Sequence, residues 1–304
     1  EQRSRAFRDA LHRRAPLEAA GPRRRGLLPY VALTRATRHE GPNFLGPAYA
    51  PFETHGYPNS DGFKVDSLAT SAGFPVRRME QRLELLGQLD PGGAVIDGAG
   101  QTRVMDRFRE QARELIGSGR AQEAFNIHVE NPKLRARYGR NHFGQSLLLA
   151  RRLAEAGVPF TTVTDSGWDH HANLVASMRE MTPRVDQGIA TLVTDLYERG
   201  LDKDVLLVVT GEFGRTPRFN ALGGRDHWPG AYTVLLSGGG LKVGQVVGST
   251  SADGAEPATD PYGPQDVLAM ICRHLGVDWT TTVEDGLGRP VPILDRARTI
   301  RELI

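Results

Sequence analysis

"DVLLVVTGEFGR", residues 204–215, joins an apolar run to a glycine, a glutamate and an arginine. The run Val205–Val209 is apolar at every position, which predicts a buried strand. A strand without polar alternation is typical of a sheet that is covered on both faces, as parallel sheets are. Glu212 and Arg215 follow where this strand should end. The stretch therefore predicts a core strand with polar side chains at its carboxyl end.

Helices and strands alternate around this strand. Helical spacing that ends on glycine alternates with short runs of β-branched and apolar residues. The predicted elements are helices over 144–157, 173–200 and 264–276 and strands over 158–165 and 231–240. Because strands that alternate with helices form crossover connections, this order predicts an α/β fold with a mainly parallel sheet sandwiched by helices.

The first half of the chain has a different character. Residues 1–75 are rich in glycine, proline, asparagine and isolated aromatics, which predicts irregular structure. Apolar residues at helical spacing then predict helices over 76–89 and 104–119. The expected organisation is a single domain over 1–304, with an irregular and helical cap-like region over 1–140 and an α/β core that carries the site over 141–304.

Composition excludes several classes of protein. The net charge of +2 gives no general attraction to nucleic acid, and the arginine-rich start lacks interleaved aromatics that could stack on bases. No apolar run approaches the roughly 20 residues that span a bilayer. Cys272 is the single cysteine, which excludes an intrachain disulfide and a cysteine-based zinc site. We therefore expect no nucleic-acid partner and no membrane span. Because the chain begins with Glu1, we also expect a processed or trimmed product.

Acids, histidines and arginines collect beside three of the predicted strands. In open α/β sheets, ligands bind outside the carboxyl ends of the strands. The residues concerned are Asp165, Asp169, His170 and His171 after the strand at 158–165, Glu212 and Arg215 after the strand at 204–210, and Arg225, Asp226 and His227 before the strand at 231–240. These segments are distant in sequence, but the predicted fold brings them to one edge of the sheet.

Mixed carboxylate and imidazole groups are the ligands that zinc, manganese and related divalent cations take. Two such cations would stabilise the attacking and leaving oxygens of a phosphoryl or sulfuryl ester. Arg215 and Arg225 could hold a tetrahedral oxyanion through paired hydrogen bonds. The pattern therefore predicts a divalent-metal site that acts on a small anionic ester.

Each of these residues also has a structural interpretation. Asp169 could cap a helix that begins near His171. Glu212 could form a surface ion pair with Arg215, and Asp226 could pair with Arg225. The convergence of three segments, rather than any single motif, favours the functional interpretation.

Three motifs resemble the bacterial DUF1501 family. They are "YGRNHFGQSLLLARRLAEAGVPFTTV", "GWDHHANL" and "VTGEFGRTPRFNALGGRDHWPG", and the resemblance extends over nearly the whole chain. That family is grouped with the alkaline phosphatase and sulfatase superfamily. The resemblance implies an alkaline-phosphatase-like fold, a metal-dependent hydrolase-like activity and an exported or periplasmic location.

The resemblance also implies particular metal ligands. Its motifs fall on Asp169, His171, Glu212, Asp226 and His227 in this chain. Two positions depart from the pattern, because Glu212 stands where aspartate is common and Phe213 where a histidine commonly follows. The segment that carries an early aspartate and the nucleophile in relatives is not recognisable here, and Cys272 does not match a sulfatase nucleophile motif.

Three functions follow as hypotheses. The first is a metal-dependent hydrolase of phosphate or sulfate esters, with zinc or manganese as cofactor. The second is a non-catalytic binding or scaffold protein that retains the fold, and the third and weakest is a nucleic-acid binder that uses the arginine-rich start. If the first core strand lies outside the chain, the open sheet edge would be covered by another segment, residues 1–75, a partner chain or a second copy of the protein.

Overall fold

The computed structural model of the chain describes residues 27–33, 41–42, 45, 49–65, 78, 81–82, 84–85, 119–285 and 287–304. The helix predicted over 104–119 lies outside the described residues, except for Gly119. Of the helix predicted over 76–89, the five described residues are helical. The arginine-rich start also lies outside the described residues.

The described residues belong to two compact units. Of the described residues, those between 20 and 136 and between 140 and 164 form the N-terminal unit, and those at 137–139 and from 165 to 304 form the C-terminal unit. The single domain expected over 1–304 remains a prediction.

The N-terminal unit contains a three-stranded parallel sheet. Its elements are β1 (Tyr30–Leu33), β2 (Phe52–Glu53), α1 (Arg120–Phe125), a 3-10 turn (Ile127–Val129), α2 (Pro132–Arg137), α3 (His142–Ala156) and β3 (Phe160–Val163). The strand order is β2-β1-β3, with Val31 opposite Phe52 and Tyr30 opposite Phe160. The irregular structure predicted for residues 1–75 is therefore wrong at β1 and β2, which supply two of the three strands.

Helix α3 has clear local determinants. The Asn141 side chain accepts a hydrogen bond from the Gly144 amide at 2.9 Å, which caps the helix start. Gly157 ends the helix with a φ of 106°, a conformation that glycine adopts without steric cost. The leucines Leu147, Leu148, Leu149 and Leu153 are all buried. The long apolar face of α3 thus provides much of the core of the N-terminal unit.

The C-terminal unit is built from short antiparallel pairs and two longer helices. Its elements are α4 (Leu174–Glu198), β4 (Leu206–Val209), β5 (Gly214–Arg215), β6 (His227–Trp228), β7 (Leu235–Gly238), α5 (Pro264–Leu275), β8 (Thr282–Glu284), β9 (Pro290–Pro292) and a 3-10 turn (Arg301–Leu303). The pairs are β4 with β7, β5 with β6, and β8 with β9. A small core forms around Met270, Ile300 and Leu303, against which Leu236 packs.

The mixed α/β class predicted from the sequence is confirmed, but the strand directions are only partly parallel. The helices at 144–157, 173–200 and 264–276 and the strands at 158–165, 204–210 and 231–240 all have counterparts in the structure. β3 is parallel to β1, a strand that the sequence did not predict, whereas β4 and β7, both predicted for a mainly parallel sheet, are antiparallel. The reason is that no helix lies between β4 and β7, so the chain turns back without the crossover that parallel strands require.

The structure also bears on the membrane prediction. Within the part of the chain that is described, every helix is too short or too polar to cross a membrane.

Candidate metal centre

The loop at residues 165–173 is anchored to α4 by Asp165. One carboxylate oxygen of Asp165 accepts a hydrogen bond from Trp168 Nε1 at 2.8 Å, and the other accepts from Arg184 Nη1 of α4 at 2.7 Å. Helix α4 begins at Leu174 with Asn173 as its N-cap residue. The interpretation of Asp169 as the helix cap is therefore wrong, and its carboxylate is available for other contacts.

A second loop, residues 220–225, runs alongside the first. The Arg225 amide donates to the His170 carbonyl at 3.0 Å, and the Leu174 amide donates to the Gly223 carbonyl at 3.0 Å. Ala172 and Gly223 form an isolated antiparallel bridge between these two bonds. This backbone pairing joins two segments that are about fifty residues apart in sequence.

Gly224 allows the two loops to approach this closely. A Cβ atom at this position would lie 2.0 Å from the carbonyl carbon of His171 and 2.3 Å from the Ala172 nitrogen. Real Cβ atoms do not approach backbone this closely, so any larger residue would force the loops apart. Gly224, the second glycine of the GGRDH sequence, thus has a steric role in bringing His171 and Asp226 together.

Strands β5 and β6 provide the third part of the site. Arg215 pairs with His227 in this antiparallel ribbon, and Gly214 pairs with Trp228. The ribbon continues because the Thr216 amide donates to the Asp226 carbonyl at 2.8 Å. The side chains that follow the strand β4 are thereby placed beside those that precede β7.

Three side-chain atoms converge between these segments. Asp169 Oδ1 lies 3.0 Å from His171 Nε2 and 3.0 Å from His227 Nε2. The two imidazole nitrogens lie 3.2 Å from each other. The three side chains are 46–59% exposed, so solvent reaches them. Asp169, His171 and His227, called here the Asp-His-His cluster, form the one group of potential metal ligands found among the described residues.

Arg215 and Phe213 support this cluster from one side. Arg215 Nη1 donates to Asp169 Oδ1 at 2.5 Å. The Phe213 ring lies 4.5 Å from the His227 ring, centroid to centroid, and 5.6 Å from the Arg215 guanidinium carbon. Phe213 therefore packs against a member of the cluster and lies within cation-π distance of the neighbouring arginine.

Asp226 and Asn220 support the cluster from the other side. Asp226 Oδ1 lies 2.6 Å from His171 Nδ1, the ring nitrogen that faces away from Asp169. Asn220 Nδ2 donates to the same Asp226 oxygen at 3.1 Å and to the His171 carbonyl at 2.9 Å. The Asn220 side-chain oxygen accepts from the amides of Leu222 and Gly224, both at 3.0 Å.

These contacts shift the pKa values of three groups. The hydrogen bond from His227, followed by that from Arg215, lowers the pKa of Asp169 to about 2. The hydrogen bond to Asp226 raises the pKa of His171 above its ordinary value. The same bond, with that from Asn220, lowers the pKa of Asp226. The lowered pKa values of Asp169 and Asp226 keep both carboxylates ionised, and the raised pKa of His171 means that it holds a proton more readily than a free imidazole does.

The structure places the seven residues predicted for the site in different ways. It brings together Asp169, His171 and His227 and sets Arg215 and Asp226 in contact with them. Glu212 is exposed and lies outside the Asp-His-His cluster.

The two surface ion pairs considered as alternative interpretations are not observed, and their residues make other contacts. Arg225 donates through its side chain to the carbonyls of Arg215 and Thr216. Arg215 bonds to Asp169 rather than Glu212, and Asp226 bonds to His171 rather than Arg225. These two hydrogen bonds direct side-chain donors of Arg225 to the backbone of β5 and the residue after it rather than to a ligand.

Sequence reasoning did not identify Asn220. A signal was present, because asparagine followed shortly by two glycines is typical of a turn in which the amide side chain bonds nearby backbone. That pattern predicts a turn but not the bond to the His171 carbonyl, because this bond crosses to a segment 49 residues away, nor the bond to Asp226, which lies beyond the turn.

The chain matches the family described as "Protein of unknown function (DUF1501)" over residues 18–304. No curated protein and no solved structure was found to match it. The match covers most of the chain and agrees with the motifs "GWDHHANL" and "GRDHW", whose residues form the cluster. The protein is therefore a member of the DUF1501 family.

Proposed function

We propose that this protein is a metal-dependent hydrolase that acts on phosphate or sulfate esters and belongs to the alkaline phosphatase and sulfatase superfamily. The observation that carries the proposal is the convergence of Asp169 Oδ1, His171 Nε2 and His227 Nε2 at separations of 3.0–3.2 Å. An alkaline-phosphatase-like sheet arrangement is part of the proposal and rests on the motif resemblance alone.

The cluster fits a small divalent cation in both chemistry and size. Two imidazole nitrogens and a carboxylate oxygen are a common ligand set for catalytic zinc. In a tetrahedral site with bonds of about 2.0 Å, neighbouring ligand atoms lie about 3.3 Å apart. The observed separations are close to that value, so small side-chain movements would suffice for binding.

The exposure of the cluster suits a reaction with an incoming substrate. Three protein ligands leave a fourth position for water or substrate, as in other catalytic zinc sites. When bound, such a cation polarises an ester oxygen and supplies an activated water molecule as nucleophile. Manganese would supply the same chemistry with oxygen-rich coordination.

Arg215 would orient an anionic ester beside the cation. Its side chain is 24% exposed, and only one of its five donor hydrogens is directed at Asp169. The remaining donors can bind the oxygens of a tetrahedral phosphoryl or sulfuryl group. Arg225 would contribute indirectly, because its side chain holds the backbone carbonyls of Arg215 and Thr216. Glu212 would take part in the chemistry only as a ligand of a second cation.

A non-catalytic binding protein is the second candidate, and one observation favours it. Asp169 accepts from Arg215, and Asp226 faces His171, so the charges in the cluster already have partners without a cation. Such a network could hold the loops together and have no chemical role.

Metal analysis of the purified protein separates the two candidates. We expect about one zinc or manganese per chain, lost in Asp169→Asn and retained in Asp186→Asn, an exposed aspartate of α4 that serves as a matched control. A chelator should lower the melting temperature of the wild type but not of Asp169→Asn. Retained iron would instead indicate a different chemistry, because two histidines and a carboxylate also bind non-haem iron.

Hydrolysis assays then test the reaction itself. Generic aryl phosphates and aryl sulfates are supplied to the metal-loaded wild type and to Arg215→Ala. We expect hydrolysis of one class of ester by the wild type and a loss of at least about 100-fold in Arg215→Ala, as for the removal of a donor to developing negative charge. Bound metal without hydrolysis of either ester would favour the binding protein.

A further inference from the structure

We propose that Asp226 and Asn220 are positioning residues, which hold His171 in the tautomer whose Nε2 lone pair faces Asp169 and His227. The sequence motifs suggested Asp226 as a metal ligand, and Asn220 had no assigned role. The role toward a cation rests on the proposed function, whereas the tautomer of His171 can be measured without it.

Each of the two ring nitrogens of His171 lies near a carboxylate. Nδ1 lies 2.6 Å from Asp226 Oδ1, whereas Nε2 lies 3.0 Å from Asp169 Oδ1. An ionised carboxylate only accepts hydrogen bonds, so the hydrogen bond with Asp226 requires a proton on Nδ1, whereas Nε2 is only within ion-pair distance of Asp169 and has its hydrogen bond with His227 Nε2. A neutral imidazole carries one proton, which leaves Nε2 with its lone pair free. This is the tautomer that a metal-binding Nε2 needs.

The contacts of His227 must be compatible with that tautomer of His171. Its Nε2 lies 3.0 Å from Asp169 Oδ1 and 3.2 Å from His171 Nε2. A proton on His227 Nε2 can be shared between Asp169 Oδ1 and the lone pair of His171 Nε2, so neither contact requires a proton on His171 Nε2. The contacts around both rings are therefore consistent with a proton on Nδ1 of His171.

The Asn220 side chain is held in place by four hydrogen bonds. Its amide donates both of its hydrogens, one to Asp226 Oδ1 and one to the His171 carbonyl. Its oxygen accepts from two backbone amides of its own loop. All four hydrogen-bonding positions of the side chain are therefore used, which fixes its orientation. Asn220 thus holds the carboxylate of Asp226 and the backbone of His171 at once.

The affinity for a cation would depend on how His171 is held. Carboxylates that accept a hydrogen bond from a metal-binding histidine fix its tautomer and orientation, and their loss typically lowers metal affinity by about 10–100-fold. The number of ligands does not change when such a residue is removed. This separates a positioning residue from a ligand, whose removal changes the coordination itself.

The test begins with metal-free protein. Correlation of ring protons with ring nitrogens by NMR, at a pH at which imidazoles are neutral, assigns the tautomer of His171. We expect Nδ1 to be protonated in the wild type, Nε2 to be protonated in Asp226→Ala, and the wild-type tautomer to persist in Asp226→Asn, which retains an acceptor. Protonated Nε2 in the wild type, or no change in Asp226→Ala, would overturn the proposal.

Asn220 is tested with a matched pair of variants. Asn220→Asp removes both donors at nearly constant shape and adds a charge beside Asp226. Asn173→Asp adds the same charge at the start of α4, where the asparagine side chain makes no capping bond. We expect a mixture of His171 tautomers in Asn220→Asp and the wild-type tautomer in Asn173→Asp. Equal effects of the two substitutions would show that charge alone is responsible and would remove Asn220 from the proposal.

Cobalt(II) titration supplies the second readout. We expect Asp226→Ala to bind Co²⁺ about 10–100-fold more weakly than the wild type, with the same visible absorption bands. Changed bands would show that Asp226 is itself a ligand and would overturn its role as a positioning residue. A wild type that binds no Co²⁺ contradicts the proposed function, while the NMR result still decides whether Asp226 and Asn220 position His171.

Discussion

The two units of the protein each contain a charged cluster, and the clusters differ in burial and in pairing. In the N-terminal unit, Glu130 lies between Arg151 at 2.9 Å and Arg152 at 2.6 Å. The Arg151 side chain is 1% exposed and that of Glu130 10% exposed. In the C-terminal unit, Asp169 is 59% exposed and lies within 3.0 Å of both imidazoles of the Asp-His-His cluster.

The difference lies in which atoms face each other. Burial alone would raise the pKa of Glu130, but the hydrogen bond from Arg152 and the charge of Arg151 together lower it below its ordinary value. Each charged group of this cluster therefore has a partner of opposite charge. In the Asp-His-His cluster, the imidazole nitrogens of His171 and His227 face each other at 3.2 Å, within reach of solvent. The buried charges are committed to one another, whereas the exposed cluster presents potential ligand atoms that converge within reach of solvent and can accept a cation.

The largest expected effect is on the buried cluster. Glu130→Gln should lower the free energy of unfolding by about 3 kcal/mol, the lower end of the range for a broken buried pair, because two arginines lose their shared carboxylate while Arg151 keeps Glu155 at 2.6 Å. Urea denaturation measures this. Glu198→Gln is the matched control, since Glu198 faces Arg137 at 3.4 Å and is 55% exposed. It should cost less than about 1 kcal/mol. Equal effects of the two substitutions would contradict the contrast between buried and exposed charges.

The second prediction concerns the backbone that assembles the exposed cluster. Gly224→Ala should force the loop at 220–225 away from His171, because the new Cβ would meet backbone atoms at 2.0–2.3 Å. We expect destabilisation of about 1–3 kcal/mol and a fall in Co²⁺ affinity of at least about tenfold. Gly211→Ala is the control, because nothing lies within 4 Å of a Cβ at that position. Unchanged Co²⁺ affinity in Gly224→Ala would show that the loop contact does not align the cluster.

The smallest expected effect is a pH dependence of the exposed cluster. The pKa of His171 is raised in the folded protein, so its contribution to stability is fully present below the unfolded imidazole pKa of about 6.5. It is lost as the pH rises through the raised folded pKa. Metal-free wild type should therefore lose some stability in urea over that interval. Asp226→Ala should lose less, because it lacks the first cause of the shift, and an identical pH dependence in both proteins would contradict the prediction.

Several elements of the fold could be predicted from sequence because their signals are local. Helix α3 carries its cap at Asn141 and its stop at Gly157, and β4 is a continuous apolar run. β1 was missed because its four residues lie in a stretch dominated by loop-forming residues. Its place between β2 and β3 depends on pairing with residues 130 positions away, as Tyr30 with Phe160.

The candidate site also contains residues that could be predicted from the sequence and residues that could not. Asp169, His171 and His227 could be selected because acids and histidines recur near the ends of predicted strands. The role of Arg225 could not be predicted, since its donors reach the carbonyls of Arg215 and Thr216 only after β5 and β6 have paired. Asn220 was missed for a similar reason, because its hydrogen bond to the His171 carbonyl joins segments 49 residues apart.

The sequence by itself determined the α/β class, the positions of most helices and strands in its second half, and the residue types available for a site. Periodicity and capping are properties of neighbouring residues, so these features need no knowledge of the rest of the chain. Only the tertiary structure decided that β4 and β7 are antiparallel and that Asp226 faces the far side of the His171 ring. Those outcomes depend on how closely separate backbones approach, and at Gly224 that approach is limited by the volume of one methyl group.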